Sequence, residues 1–159
     1  MPRFIATSLA PGRDIAQQRA AVASWRDAGF DVISVNAEAE IAPLIQAHEG
    51  VQIVAAPFTG EKVAGKPVPY VRDLLKALRA ACAHSGRAPA DCTVGIVNDD
   101  IHFRMTDTQA ADLQRQAQGS LVLGARVDAT VDAGAYSAYP FSACLEAALQ
   151  VLADQGAEL

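Results

Sequence analysis

Short runs of β-branched and apolar residues alternate with longer amphipathic segments along most of this chain, and that alternation constrains its fold more than any other feature. Residues 4–9, 31–35, 51–55 and 93–97 read as strands. Between them, residues 14–28 read as a helix with Ile15, Val22 and Trp25 on one face and Gly29 as its stop. Ile41, Leu44, Ile45 and His48 keep helical spacing and end at Gly50. Val71, Leu74, Leu75, Leu78, Ala81 and Cys82 form a third stripe, closed by Ser85-Gly86. Thr106 is placed to cap a helix through about Gln118, mostly exposed because Leu113 is its only large apolar residue. Residues 120–127 read as a fifth strand, and residues 139–155 as a helix with Leu145, Leu149 and Leu152 on one face.

Strands alternating with helices predict right-handed crossovers and a mostly parallel sheet covered on both faces. The expected architecture is a Rossmann-like, three-layer α/β/α sandwich formed by a single domain over 1–159. The fourth strand has no polar side chain after Thr93, so it is expected to be buried on both faces. Ligands of such sheets bind outside the carboxyl ends of the strands. That rule directs attention to Ser8 to Arg13, Asn36 to Glu38, Pro57 to Lys66 and Asn98 to Arg104. Residues 56–69, with three prolines and two glycines, read as a long loop.

Composition narrows the function classes. Apolar residues make up 51% of the 159, but 33 of them are alanine, which fits a helix surface as well as a core. The rest suffice for one hydrophobic core. The net charge of −5 argues against a phosphate-backbone binder, and aromatics at 6% argue against a stacking platform for single strands, so no nucleic-acid partner is expected. The charge divides unevenly: residues 1–90 are net +2 and residues 91–159 net −7. Three cysteines, none in C-x-x-C spacing, argue against a disulfide framework or structural zinc site, and Cys82 reads as a small buried hydrophobe. No apolar run is long enough to span a membrane, and the first residues lack a signal-peptide pattern, so a cytoplasmic location is expected.

The clearest chemical constellation is Asn98-Asp99-Asp100, two carboxylates and an amide directly after a strand. Charge there needs water or a counter-cation. Oxygen donors of this kind suit Mg²⁺ or Mn²⁺. The plainer reading is a turn made by Asn98 and Asp99, with Asp100 capping the next segment.

The position of Asn98-Asp99-Asp100 after the fourth strand resembles the nucleotide-diphospho-sugar transferases of the GT-A type, which carry an Asp-x-Asp motif there; here asparagine takes the first place. The opening Thr7-Ser8-Leu9-Ala10-Pro11, the helix containing Ser24-Trp25-Arg26, and the run from Gly29 to Asn36 look like the start of such proteins. The resemblance covers roughly residues 3–128. It implies that Ser8, Pro11 and Arg13 border the nucleotide and that Asn36 lies near its base or ribose. It also implies that Asp100 is the metal ligand, with Asn98 and Asp99 beside it. The implied partner is a nucleotide-sugar, and the implied reaction is metal-dependent glycosyl transfer. In that family the later part supplies the acceptor site and a catalytic base, and no such part is read here. The second expectation is therefore a non-catalytic module used for oligomerisation, as a homodimer, or for protein contact.

Other candidates carry less. Gly60 to Lys66 has the spacing of a phosphate loop, but Pro67 stands where the Ser/Thr is required, so that motif is rejected. Lys62 and Lys66 read as solvated, or as a phosphate clamp. His102 reads as an exposed strand-end residue, and His48 and His84 as helix-end residues in a favourable dipole. Ser8 lacks the Gly-x-Ser-x-Gly context of a hydrolase nucleophile. A receiver-like signalling domain would need acidic residues where Ala10-Pro11-Gly12 stands.

Overall fold

In the computed structural model, residues 1–120, Val122, 127–129 and 136–138 are described. Met1–Ser120 forms one compact unit. Its strands are β1 (Arg3–Thr7), β2 (Asp31–Asn36), β3 (Gln52–Ala55) and β4 (Thr93–Ile96). Its helices are α1 (Ile15–Asp27), α2 (Glu38–Ala47), α3 (Glu61–Ala64), α4 (Val71–His84) and α5 (Asp107–Gln116). All strand pairs are parallel, in the order β3-β2-β1-β4. The chain winds outward from β1 to β3, then crosses back to β4 on the far side of β1. The strand order therefore reverses between β1 and β4.

Two apolar layers sandwich this sheet. On one face Ile5 and Val32 pack with Val22 and Trp25 of α1, Leu44 of α2 and, less deeply, Leu113 of α5. On the other, Phe4, Ala6, Ile33 and Val35 meet Leu74, Leu78 and Cys82 of α4. Successive β1 residues serve opposite layers, as the two-residue period of a strand requires. The expected α/β sandwich is what the chain forms.

Local sequence explains the helix ends. The Asp14 carboxylate accepts from the N–H groups of Ala16 and Gln17, capping α1. Gly29 adopts φ +81°, which lets Phe30 N–H reach Trp25 C=O at 3.0 Å and closes that helix. Thr106 caps α5 through Gln109 N–H, and the Gln109 side chain accepts from Thr106 N–H.

Three expectations change. Ile15 is 39% exposed, and Gln18 is the residue that turns inward with Val22 and Trp25. Within residues 56–69 lies the single turn α3, pinched at its base by Gly60 N–H donating to Val68 C=O at 2.8 Å. Among the described residues β4 is an edge strand, with Val94 46% and Ile96 43% exposed. An apolar run records what a strand can bury, not how many neighbours it has.

Beyond residue 120, β5 (Val127–Ala129) and β6 (Tyr136–Ala138) pair antiparallel, Asp128 opposite Ser137. The strand expected over 120–127 falls mostly outside the described residues, and the helix expected over 139–155 falls wholly outside them. No helix among the described residues is long and apolar enough to cross a membrane.

Candidate functional site

The reversal of strand order sets the segments after β1 and β4 side by side at the carboxyl edge of the sheet. Helix α1 then ties the post-β4 segment down at three points. Gln18 Nε2 donates to Asp99 Oδ2 at 2.8 Å, Trp25 Nε1 donates to Ile101 C=O at 2.7 Å, and Ser24 Oγ accepts from Phe103 N–H at 3.0 Å. The Phe103 ring packs edge-on against Trp25 and Phe30, with centroids 6.4 and 5.9 Å away. The acidic turn is thus fastened by polar groups on its near side and by aromatic packing beyond it.

Asp99 is buried. Its Oδ2 takes the Gln18 bond and its Oδ1 pairs with Arg13 Nη1 at 3.1 Å. Gln18 Nε2 also donates to Ala10 C=O at 3.1 Å. Both partners accept, so the nitrogen of the amide faces them and Oε1 faces His48 Nε2, 3.2 Å away. His48 is therefore protonated on Nε2, and its buried Nδ1 has no partner among the described residues. Burial, followed by the Arg19 charge, holds the His48 pKa below the ordinary histidine value and keeps the ring neutral. The chain His48–Gln18–Asp99–Arg13 runs from the end of α2 to the sheet edge.

Asp100 has a different environment. It is half-buried, and its Oδ1 is shielded from solvent without a hydrogen-bond partner among the described residues. Asn98 is exposed and its C=O accepts from Ile101 N–H at 3.3 Å, which closes a turn with Asp99 and Asp100 at its centre, whereas no cap by Asp100 is seen among the described residues. A cavity of about 210 Å³ lies here, lined by Arg13, Asp14, Gln17, Gln18, Asp99 and Asp100. Among the described residues, its lining holds three aspartates and one arginine. That balance favours a cation and disfavours a bare anion. No three His, Cys, Asp or Glu side chains among the described residues converge as a ready-made metal cluster.

Asn36 lies at the end of β2 and is fully buried. Its Nδ2 donates to Leu9 C=O at 2.6 Å and to Glu40 Oε2 at 3.1 Å, with Ser8 Oγ at 3.5 Å, while its Oδ1 accepts from Ser34 Oγ at 2.5 Å. Ser34 Oγ in turn accepts from Leu9 N–H at 2.9 Å. Asn36 and Ser34 thereby fix the path of the post-β1 loop. Pro11 stands exposed in that loop.

The structure therefore joins Arg13 to Asp99, sets Asp100 beside them and brings Ser8 to Asn36. Lys62, Lys66 and His102 are exposed. His48 is buried within a polar chain and not merely resting on a helix dipole. Gln18 escaped the sequence reading, although it continues the 15, 18, 22, 25 stripe as a polar residue in an inward position. Comparison with models of protein families, with curated proteins and with solved structures found no match.

Proposed function

We propose that this chain is a glycosyltransferase-like protein that binds a nucleotide-diphospho-sugar at the β1/β4 edge through Mg²⁺ or Mn²⁺. The observation that carries the reading is Asp100 Oδ1, a buried carboxylate oxygen that has no partner among the described residues, on a cavity whose described lining is net acidic. Asp99 is occupied by Arg13 and Gln18 and Asp14 caps α1, which leaves Asp100 as the uncommitted carboxylate, with Asn98 next to it. Mg²⁺ commonly takes one or two carboxylates and completes its shell with substrate phosphates and water, so one free carboxylate beside Asn98 is enough for this use. When bound, the ion supplies Lewis-acid stabilisation of the departing diphosphate.

The residues of the chain divide the remaining work. Asn36 and Ser34 hold the Ser8–Arg13 loop at the nucleotide side. Gln18 and Arg13 fix Asp99, and with it the turn that presents Asp100. A cavity of about 210 Å³ is below the roughly 300 Å³ at which small-molecule pockets begin, so it suits the diphosphate end of such a ligand. Calorimetric titration with nucleoside diphosphates, with and without Mn²⁺, tests this. Metal-dependent binding that is lost in Asp100→Ala supports it, and binding that ignores either change sinks it.

A second reading, a non-catalytic module for self-association as a homodimer, is favoured by Val94 and Ile96, exposed apolar side chains on a strand that is at the sheet edge among the described residues. Sedimentation at several concentrations separates the two. A stable dimer without affinity for nucleoside diphosphates supports the second.

A further inference from the structure

Two cysteines belong to one apolar cluster at the opposite, amino edge of the sheet. Helix α4 runs antiparallel to the strands, and its buried stripe of Leu74, Leu78 and Cys82 ends there on Cys82. The chain returns through a short 3₁₀ turn, Pro89–Asp91, and enters β4 at Thr93. Val94 stands opposite Phe4 in register, and Phe4 belongs to the α4 layer. By the two-residue period of a strand, Cys92 falls on that same face. It packs against the cluster that contains Cys82, while its Sγ stays near the surface, 3.6 Å from Ala88 C=O. Cys82 is 1% exposed, and Cys92 is half-buried.

We propose that Cys82 and Cys92 form a dithiol site that closes to an intrachain disulfide by exchange with a low-molecular-weight disulfide. The Cys92 thiolate attacks one sulfur of the small disulfide, giving a mixed disulfide and releasing one small thiolate. Cys82 loses its proton to solvent and attacks Cys92 Sγ, forming the Cys82–Cys92 bond and releasing the second small thiolate. The two protein thiols give up two electrons and two protons, and the small disulfide becomes two thiols. The order follows from access and acidity. Cys92 is the reachable thiol, whereas burial and the neighbouring Cys92 push the Cys82 thiol up to about 11. The bond would tie the end of α4 to the start of β4 across a ten-position separation.

The test uses the full chain carrying Cys144→Ser, so that no third thiol takes part. It is incubated natively with glutathione disulfide, then alkylated, digested and analysed by mass spectrometry. A Cys82–Cys92 cross-linked peptide is expected, and the oxidised protein should melt several degrees above the reduced one, as a short unstrained loop closure does. Cys82→Ala in the same background should stop at the mixed disulfide on Cys92. Wild-type thiols that stop at the mixed disulfide, that resist reaction until urea is added, or that close only with a fall in melting temperature would overturn the proposal.

Discussion

Gln18 Nε2 sits 2.8 Å from Asp99 Oδ2, a bond between residues 81 positions apart that fastens the post-β4 turn to helix α1. The same amide holds Ala10 C=O and His48 Nε2, so one buried side chain connects the loop after β1, the turn after β4 and the end of α2. Gln18→Ala removes a partner from two buried groups, Asp99 Oδ2 and His48 Nε2, and from the half-buried Ala10 C=O, which keeps Arg13 N–H. Each buried polar group left unsatisfied costs roughly 1–3 kcal/mol. Partial access of water through the cavity offsets part of this, and an overall loss of about 2–4 kcal/mol is expected from urea unfolding at neutral pH. A loss below about 0.5 kcal/mol, the scale of an ordinary surface substitution, would show that the bridge does not hold the turn.

His48 gives the account a pH signature. Its pKa in the folded chain lies below the unfolded value of 6.5, chiefly through burial and then through Arg19. Above pH 6.5 the ring is neutral in both states and contributes no proton-linked term. As pH falls below 6.5, the unfolded chain takes up a proton that the folded chain refuses, so stability drops with falling pH. His48→Gln should flatten the pH dependence of unfolding between about pH 6.5 and 5 relative to wild type. Identical slopes in the two proteins would contradict a neutral, buried His48.

Much of the fold was legible because its signals are local. Asp14, Gly29 and Thr106 act within a few residues of themselves, and the sequence marks the ends of α1 and α5 through them. The acidic turn was legible for the same reason, since Asn98, Asp99 and Asp100 are neighbours following a strand. Gln18 was not legible, because its partners Ala10, His48 and Asp99 come together only once the sheet has formed. Nor was the edge position that β4 holds among the described residues. Its apolar run is equally compatible with a central strand, and neighbour count is a property of the topology.

Trp25 is the only tryptophan in the chain and is fully buried. Trp25→Phe keeps a ring in the core but leaves Ile101 C=O without its donor. Loss of the bond and of the extra ring volume together should cost about 2–3 kcal/mol in denaturant unfolding. In the wild-type protein the indole emission should shift to the red on unfolding, in step with the far-ultraviolet circular dichroism. A red-shifted native emission would mean that Trp25 is wet and the Ile101 bond absent.

Arg13 separates stability from binding. Its side chain is 63% exposed, so its ion pair with Asp99 is screened and worth at most about 1 kcal/mol. Arg13→Ala should leave the unfolding midpoint nearly unchanged while weakening the proposed nucleoside diphosphate binding several-fold, since among the described residues it is the one cation lining the cavity. Equal affinities for variant and wild type would place the ligand elsewhere.

The location of the metal is the central claim, and paramagnetic broadening by Mn²⁺ tests it most directly. Amide resonances of the ¹⁵N-labelled protein are recorded with a nucleoside diphosphate and Mg²⁺, then with substoichiometric Mn²⁺. The account predicts selective broadening at Leu9–Arg13 and Asn98–His102, no broadening at Cys82 or Cys92 on the far edge, and loss of the effect in Asp100→Asn. Broadening centred away from the β1/β4 edge, or unchanged in Asp100→Asn, would contradict it.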